Sequence, residues 1–523
     1  MALLFGEDKD DLVLTKKTIQ QIYNADYRFA KPPDKPRLKA VIPGNNRVIL
    51  VWDSRAEKSW DPFLQEYDFE GYRIYRSTEP EFLENRLITD AYGRLTFRKP
   101  IAQFDLKNQW SGLHPIDVSG AHFDLGDNSG LQHYYIDNDV KNGQTYYYAI
   151  VSYDHGLVDT SVTGGLVGLS PAECTSKIAQ DLSGNVTVDI NTAVVVPRAP
   201  AAGYVDAGLA ENVNRQTIGT GDVKIRFLVP DSVLDGHTYS IEFGDTAYFH
   251  NLGNPFYVIY DITNGQKIPR TDTLWIDEDS QSPLIDGFVV NIHNDQTDLN
   301  RDSTGWILGS TNYRWRVNQD SRFSNTNPML NFNINYPADF LITFSDQIVD
   351  TAENVLLPPD VPTKFTRFYL EADSADDNLI PPAPGDIFRI STKKGFRTGD
   401  RIEFKVSGES YDVQKAKQEM DKIAVVPNPY VVAASWEPRS PYRFGRGERK
   451  IYFIHLPKKC TIRIYSLRGY LVDTIEHNGT IDDGQEAWDV LNKDGQEIAY
   501  GVYVFHVDAP GVGEKIGKFA IIK

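Results

Sequence analysis

The stretch CTIRIYSLRGYLVDTI, from Cys460 to Ile475, decides the fold at the end of this chain. Its apolar residues recur at every second position on both sides of an Arg-Gly pair, which predicts two strands joined by a tight turn. GVYVFHV (Gly501 to Val507) and the closing GKFAIIK (Gly517 to Lys523) continue the alternation. The pattern predicts a compact antiparallel β-sandwich whose last strand ends on the final residue.

Two short motifs add to this pattern: PNPY (Pro427 to Tyr430) before the hairpin, and a lone WD at Trp488 after it. In this order, the segment from Ile423 to Lys523 resembles the C-terminal sorting domains of type IX secretion cargo in the Bacteroidetes. It also resembles the Ig-like domain of flagellar hook-capping proteins. The resemblance implies a sorting or anchoring domain that binds secretion or attachment machinery, although a long insertion (Ser435 to Lys450) departs from the pattern.

Length and composition limit the class of protein. A chain of 523 residues is too long for one core and predicts about three or four domains. With 41% hydrophobic residues and a mean hydropathy of −0.40, the chain reads as globular rather than disordered. Its longest apolar runs, such as Tyr146 to Tyr153, are far shorter than the ~20 residues of a transmembrane helix. We therefore expect no membrane span.

The charge balance argues against nucleic acid as a partner. Lys and Arg number 54 and Asp and Glu 72, so the net charge is −18, and an acidic surface repels phosphate backbones. The one concentrated basic stripe runs from Arg439 to Lys450 and interleaves arginine with Tyr442 and Phe444. We interpret it as a solvated loop, with base stacking as the alternative.

The start of the chain and its cysteines bear on cellular location. The N-terminus lacks the basic region and the apolar run of a secretory signal peptide, so an exported protein would be represented here by a mature form or a fragment. Cys174 and Cys460 lie far apart, and neither has the setting of a nucleophile. Cys460 begins an alternating run and is expected to point into the sandwich.

The first part of the chain divides into a helical segment and a β-domain. Residues 1–31 contain helical spacing, with Leu12, Ile19 and Ile22 on one face, and end in a proline-rich linker. Residues 32–165 resemble a fibronectin type III domain. RVILVWD (Arg47 to Asp53) alternates like a half-buried strand, and a turn followed by Tyr146 resembles the tyrosine corner of that fold.

This domain carries a long insertion, residues 78–133, where two short strands would suffice. It is rich in Gly and Asp and contains Trp110, His114 and His122. Long ordered loops on rigid scaffolds often bind ligands, and a structural brace is the alternative.

Residues 166–418 form a central β-rich region, read as one large sandwich or two fused ones. Its alternating runs are separated by turn-rich Gly, Asn, Asp and Pro, with one helical segment, Val413 to Lys422, at its end. Residues 419–523 complete the chain as an Ig-like, sorting-type domain. The predicted fold class is mainly β: tandem antiparallel sandwiches with a short N-terminal helix.

One constellation suggests a metal. Asp298, Asn300 and Asp302 occupy alternate positions before Gly305, so three side-chain oxygens can converge on a hard cation such as calcium. The twelfth position is Gly309 rather than Glu, so this is no EF-hand, and Asp-rich turns also occur for backbone reasons alone. These residues are the candidate calcium ligands, and no other cofactor is predicted.

No catalytic motif stands out. HExxH, CxxC, GxSxG and the P-loop spacing are all missing from the sequence. We therefore predict a non-catalytic structural, adhesion or assembly protein at the extracellular or outer cell surface of a Gram-negative bacterium. Its partners would be the secretion machinery, further copies of itself, or other surface proteins and glycans. The alternatives are an accessory C-terminal part of a secreted hydrolase and a flagellar or appendage assembly factor.

Overall fold

The computed structural model describes residues 30–83, 88–89, 95–118, 120–159, 167–180, 186–245, 255–268, 278–295, 298–319, 339–346, 353–354, 366–371, 378–431 and 449–522, with residues 12, 16 and 274. The chain forms two compact units. Unit 1 combines Met1–Val205 with Ser410–Lys523, and unit 2 is Asp206–Glu409. Of the predicted N-terminal helix only Leu12 and Lys16, both helical, are described, and most of the basic stripe lies outside the described residues.

The strands of the first part of unit 1 are β1 (Leu38–Gly44), β2 (Arg47–Trp52), β3 (Phe69–Ser77), β4 (Ile88–Thr89), β5 (Leu95–Phe97), β6 (Ala102–Asp105), β7 (Leu113–Val118), β8 (Ala121–Asp124), β9 (Tyr134–Asp137), β10 (Tyr146–Asp154), β11 (Leu157–Asp159), β12 (Val167–Leu169), β13 (Ile178–Gln180), β14 (Val186–Val188), β15 (Thr192–Val195) and β16 (Tyr204–Val205). A 3-10 turn covers Arg55–Lys58.

A β-sandwich of two sheets occupies residues 38–195. One sheet has the order β1-β2-β9 and the other the order β15-β10-β3-β6. Trp52 packs between them against Tyr72, with ring centroids 5.8 Å apart. The tyrosine-corner prediction is confirmed, because the backbone N–H of Lys141 donates to the Tyr146 hydroxyl at 3.0 Å.

The half-buried interpretation of β2 is wrong. Ile49 and Val51 are as buried as Val48 and Leu50, and every residue of β10 is buried. A continuous apolar run predicts such a strand better than alternation does. The sandwich also ends later than residue 165, since β15 pairs with β10.

The strands of unit 2 are β17 (Gly208–Leu209), β18 (Asn214–Gln216), β19 (Asp222–Phe227), β20 (Thr238–Asp245), β21 (Pro255–Asp261), β22 (Gln266–Lys267), β23 (Glu278–Gln281), β24 (Phe288–Asn294), β25 (Asp298–Leu299), β26 (Gly305–Leu308), β27 (Arg314–Gln319), β28 (Phe340–Thr343), β29 (Glu353–Asn354), β30 (Thr366–Glu371), β31 (Ile387–Ile390), β32 (Thr392–Lys393) and β33 (Arg401–Ser407). Pro230–Ser232 is a 3-10 turn.

Unit 2 is itself a β-sandwich, as the central region of the sequence predicted. The sheet β17-β33-β20-β21-β22 packs on β19-β24-β23. Stacked and edge-on rings of Tyr239, Phe288 and Phe404 fill the space between them. A further sheet, β26-β31-β28-β29, and the pairs β25-β32 and β27-β30 complete the described part of this unit.

The second part of unit 1 contains β34 (Ser410–Tyr411), α1 (Val413–Glu419), a 3-10 turn (Met420–Lys422), β35 (Ala424–Val426), β36 (Tyr430–Val431), β37 (Ile451–Ile454), β38 (Lys459–Ser466), β39 (Leu471–Asn478), β40 (Glu486–Trp488), β41 (Gly501–Ala509) and β42 (Gly513–Ile522). The predicted helix at 413–422 is thus confirmed, with Asp412 capping its N-terminus.

The C-terminal residues fold as the predicted second sandwich of unit 1. The sheet β35-β37-β40 faces the sheet β36-β42-β41-β38-β39, and Trp488, Phe453 and Phe519 meet in the core. The hairpin β38–β39 turns at Gly469, whose φ of 85° suits glycine. No helix among the described residues is long and apolar enough to cross a membrane.

Candidate interaction surface

The predicted calcium ligands lie at a turn in unit 2. Asp298 stands opposite Lys393 in the β25–β32 pair, which puts a basic residue beside the first candidate ligand. The backbone N–H of Ser303 donates to the Asn300 carbonyl at 3.3 Å, and Asp302 is exposed. Among the described residues, no group of three or more His, Cys, Asp or Glu is arranged to hold a metal ion. The calcium site stays a prediction.

The insertion of residues 78–133, which we call the excursion, contributes β6 to the sheet β15-β10-β3-β6 and places several apolar side chains over the outer face of that sheet. Its Phe123 and Leu125 pack on Tyr153, and its Phe82 packs on the face that also buries Tyr75. Trp110 stacks on His155 at 4.7 Å between centroids. These contacts make the excursion a structural cover for that face.

A buried arginine fastens the excursion to the sheet. The Arg73 guanidinium donates to Glu173 Oε1 at 2.8 Å and to the Asp124 carbonyl, and it lies 3.8 Å from the centroid of the Phe123 ring. Arg73 is almost fully buried, so each of these partners replaces water that the charge has lost. The contact therefore specifies where the excursion lies.

Buried carboxyl groups line the same region. Burial, with the nearby charges of Asp61 and Glu66, raises the pKa of Asp68 to about 7. Burial and the charge of Asp68 likewise raise the pKa of Asp154 to about 7. Oδ1 of Asp68 has no hydrogen-bond partner among the described residues, which adds to the free-energy cost of ionising this carboxyl group.

In β3, burial and the charge of Asp105 raise the pKa of Glu70 to about 8, although the hydrogen bond from Asn108 in the excursion lowers it. Asp105 itself accepts from the backbone N–H of Ser129 at 2.8 Å. Burial lowers the pKa of His114, whose Nε2 is enclosed. Among the described residues, Asp105 and His114 have backbone partners, and Glu70 accepts from the Asn108 side chain.

Both cysteines are free and buried, in agreement with the structural role predicted for them. Cys460 points into the core of the C-terminal sandwich, and burial raises the pKa of its thiol to about 12. Burial also raises the pKa of Cys174. Neither thiol is prepared for nucleophilic chemistry at neutral pH.

The outer face of the C-terminal sheet has a polar half. Cross-strand pairs occupy it: Arg463 with Asp508 at 3.3 Å and Thr461 with Glu476 at 2.9 Å. His506 Nε2 lies 3.2 Å from Glu514 Oε2 in the same half. This half has the composition of an ordinary solvated sheet face.

The other end of this sheet is apolar and exposed. Leu467 and Tyr470, in the β38–β39 turn, are 73% and 72% exposed. The register brings this turn beside the start of β41 and the end of β42. We call this surface the apolar end; it comprises Leu467, Tyr470, Leu471, Tyr500, Val502 and Ile522. Clustered exposed apolar residues of this kind mark interaction sites.

The PNPY motif ties the last strand into the sheet. Tyr430 is buried and pairs in parallel with Ile521, as Val431 does with Ile522. The Asn428 side-chain amide donates to the Lys518 carbonyl at 3.3 Å and accepts from the Ala520 N–H at 3.1 Å. The amide thus takes the place of one further residue of β36, a role that the sequence pattern did not reveal.

The two sandwiches of unit 1 are joined by the segment 198–204. Arg198 pairs with Asp482 at 2.6 Å and with Asp483 at 3.0 Å. The Ala201 N–H donates to the Ile481 carbonyl, and the backbone at Gly484 packs so closely on Pro200 that a Cβ there would clash with the Pro200 carbonyl oxygen. The C-terminal domain is therefore packed onto the rest of unit 1.

Comparisons with known proteins place few constraints on function. No protein-family profile matches this chain, and no curated protein matches it significantly. Among solved structures, PorZ, a surface component of the type-IX secretion system of Porphyromonas gingivalis, shares 20% identity over 24% of this chain and 15% of its own, at a TM-score of 0.17.

Two other solved structures align over most of this chain. The FN1-FN3 domains of chicken CNTN1 share 9% identity over 94% of this chain and 99% of theirs, with a TM-score of 0.12. Latent PorU from Porphyromonas gingivalis shares 10% identity over 93% of this chain and 34% of its own, with a TM-score of 0.14. At these scores, the likenesses carry no argument about function.

Proposed function

We propose that this chain is a non-catalytic structural protein of the extracellular or outer cell surface, and that its C-terminal sandwich is the domain by which it is sorted or attached. One observation carries the proposal: the apolar end stays exposed on a domain whose core is complete. Exposing a cluster of apolar side chains to water costs free energy, and a partner that covers the cluster removes this cost. The hydrogen bonds from Asn108 to Glu70 and from Ser129 to Asp105 fit a structural role, because they hold the excursion in place.

The test compares point variants of the full chain, since deleting residues 423–523 would also expose the surfaces packed around Arg198 and Gly484. Leu467→Asp with Tyr470→Asp places charge in the apolar end without touching the core. We expect the variant to fold normally while its surface-displayed fraction in the native host falls about tenfold, as measured by antibody labelling of intact cells.

Leu113→Asp is the matched control, because Leu113 is 66% exposed on the first sandwich, outside the apolar end. This control should be displayed like the unaltered chain. Equal display of the apolar-end variant and the unaltered chain would contradict the proposal.

A further inference from the structure

The last strand has an open edge. β42 pairs with β41 from Gly513 to Ile521. On its other side, β36 covers Ile521 and Ile522, and the Asn428 side chain binds Lys518 and Ala520. Among the described residues, no strand pairs with this side of β42 between Gly513 and Lys518. The opposite edge of the sheet is partly covered, because the Lys493 N–H donates to the Val472 carbonyl of β39 at 3.0 Å. The unpaired edge of β42 is a template for another strand.

The contacts of Asn428 reveal which backbone groups point outward along this edge. Its amide binds the carbonyl of Lys518 and the N–H of Ala520, so these two residues direct their polar groups away from β41. The backbone N–H and C=O groups of successive residues point to opposite sides of a strand. Every second residue therefore points the same way as Lys518, so Ile516 and Glu514 also present their N–H and C=O groups to the open edge. Because Asn428 already binds the Lys518 carbonyl, the edge offers the N–H and C=O groups of Glu514 and Ile516 and the N–H of Lys518, centred near Ile516.

The side chains along the edge are self-complementary. Glu514, Ile516 and Lys518 alternate on the exposed outer face, and Ile516 is 66% exposed. A two-fold axis through Ile516 sets Glu514 opposite Lys518 of the partner subunit, and Ile516 opposite Ile516 of the partner subunit. Opposite charges and apolar pairs in these cross-strand positions are stabilising.

We propose that two copies of this chain associate through the outer edges of β42, antiparallel and in the register centred on Ile516, to form one sheet that continues across both subunits. The register also sets Lys515 opposite Gly517 of the partner subunit. Lys515 does not block the edge, because its Nζ pairs with Asp421 Oδ1 at 2.5 Å. The association uses the strand edge rather than the apolar end, so it is independent of the proposed function.

The test is charge reversal in the full chain, with the dimer dissociation constant measured by sedimentation velocity at low salt. Glu514→Lys alone sets two ammonium groups opposite each other, and Lys518→Glu alone sets two carboxylates opposite each other, twice in each dimer. We expect each single variant to weaken the dimer about tenfold and the double variant to return within about threefold of the unaltered chain. Glu476→Lys, on the same face but away from the edge, should change nothing.

A second measurement checks the register without relying on charge. The Cα atoms of two directly opposed, hydrogen-bonded residues are about 5.5 Å apart, which suits a disulfide. Oxidised Ile516→Cys should therefore give a covalent dimer, whereas Leu467→Cys, equally exposed at the apolar end, should give little. A monomer at all concentrations, a dimer insensitive to the reversals, or a double variant that does not recover would each overturn the proposal.

Discussion

The outer face of the larger sheet is covered in one sandwich of unit 1 and exposed in the other. In the first, the excursion and the segment around Cys174 cover the face, and Arg73 is buried in the contact. In the second, the corresponding face is open, polar at one end and apolar at the other, and Arg463 sits there half-exposed in a surface pair. The first face is completed by its own chain, and the second is available to other molecules.

The same residue type therefore has a different energetic role in each domain. Removing a partner from a buried charge is strongly destabilising, whereas an exposed ion pair competes with water and contributes little to stability. An apolar side chain under the excursion contributes its full burial, whereas one at the apolar end contributes to binding rather than to folding. Matched substitutions in the two sandwiches measure this difference directly.

The largest effect is expected from arginine. Arg73→Met should lower the free energy of unfolding by about 3 to 5 kcal/mol, because Glu173 and the Asp124 carbonyl lose a buried charged partner. Arg463→Met should cost about 0 to 1 kcal/mol, since its pair with Asp508 is exposed. Urea unfolding of both variants measures the two losses of stability. Equal losses in the free energy of unfolding would mean that Arg73 does not fasten the excursion to the sheet.

A smaller effect is expected from valine on the two outer faces. Val151, 1% exposed, lies under cover, and its change to Ala should cost about 2 kcal/mol of stability. Val502, 42% exposed at the apolar end, should tolerate the same change within about 0.5 kcal/mol. Thermal melting of the two variants measures the difference. A larger loss of stability for the Val502 variant than for the Val151 variant would contradict the prediction.

The smallest effect is a pH dependence confined to the first sandwich. Asp68 and Asp154 have folded pKa values of about 7, above their ordinary value of 3.8, so the folded state holds protons that the unfolded state releases. The stability that these protons provide is fully present below about pH 4 and is lost as pH rises through about 7.

We therefore expect the melting temperature of the full chain to fall between about pH 6 and pH 8.5. Asp68→Asn removes one of the coupled groups and should reduce that fall by roughly 3 °C, as measured by calorimetry. Asp473→Asn, in the C-terminal sandwich, serves as the comparison and should leave the fall unchanged. A pH profile of Asp68→Asn identical to that of the unaltered chain would remove Asp68 from this account.

Local sequence patterns predicted much of the fold. Alternating runs located the strands of both sandwiches and of unit 2, the turn at Gly469 was visible as a hairpin, and Tyr146 was identified as a tyrosine corner. Each of these depends on contacts a few residues apart or on the period of one strand. The pattern failed at Ile49 and Val51, because alternation does not show whether the second face of a strand is covered.

The interaction surface could not be read from the same patterns. Leu467 and Tyr470 look like members of a hairpin, and nothing local separates an exposed apolar residue from a buried one. Asn428 looks like a turn residue, yet its amide extends a strand pairing with residues near the chain end. These roles depend on which distant segments meet.

The order of residues alone determined that this chain is built from antiparallel β-sandwiches, because a two-residue apolar period stabilises a strand with one face in a core. Only the tertiary structure decided which faces and edges were left for partners. The excursion closes over one sheet and the edge of β42 stays open because of long-range packing, and no local pattern specifies the distant surface against which a strand will lie.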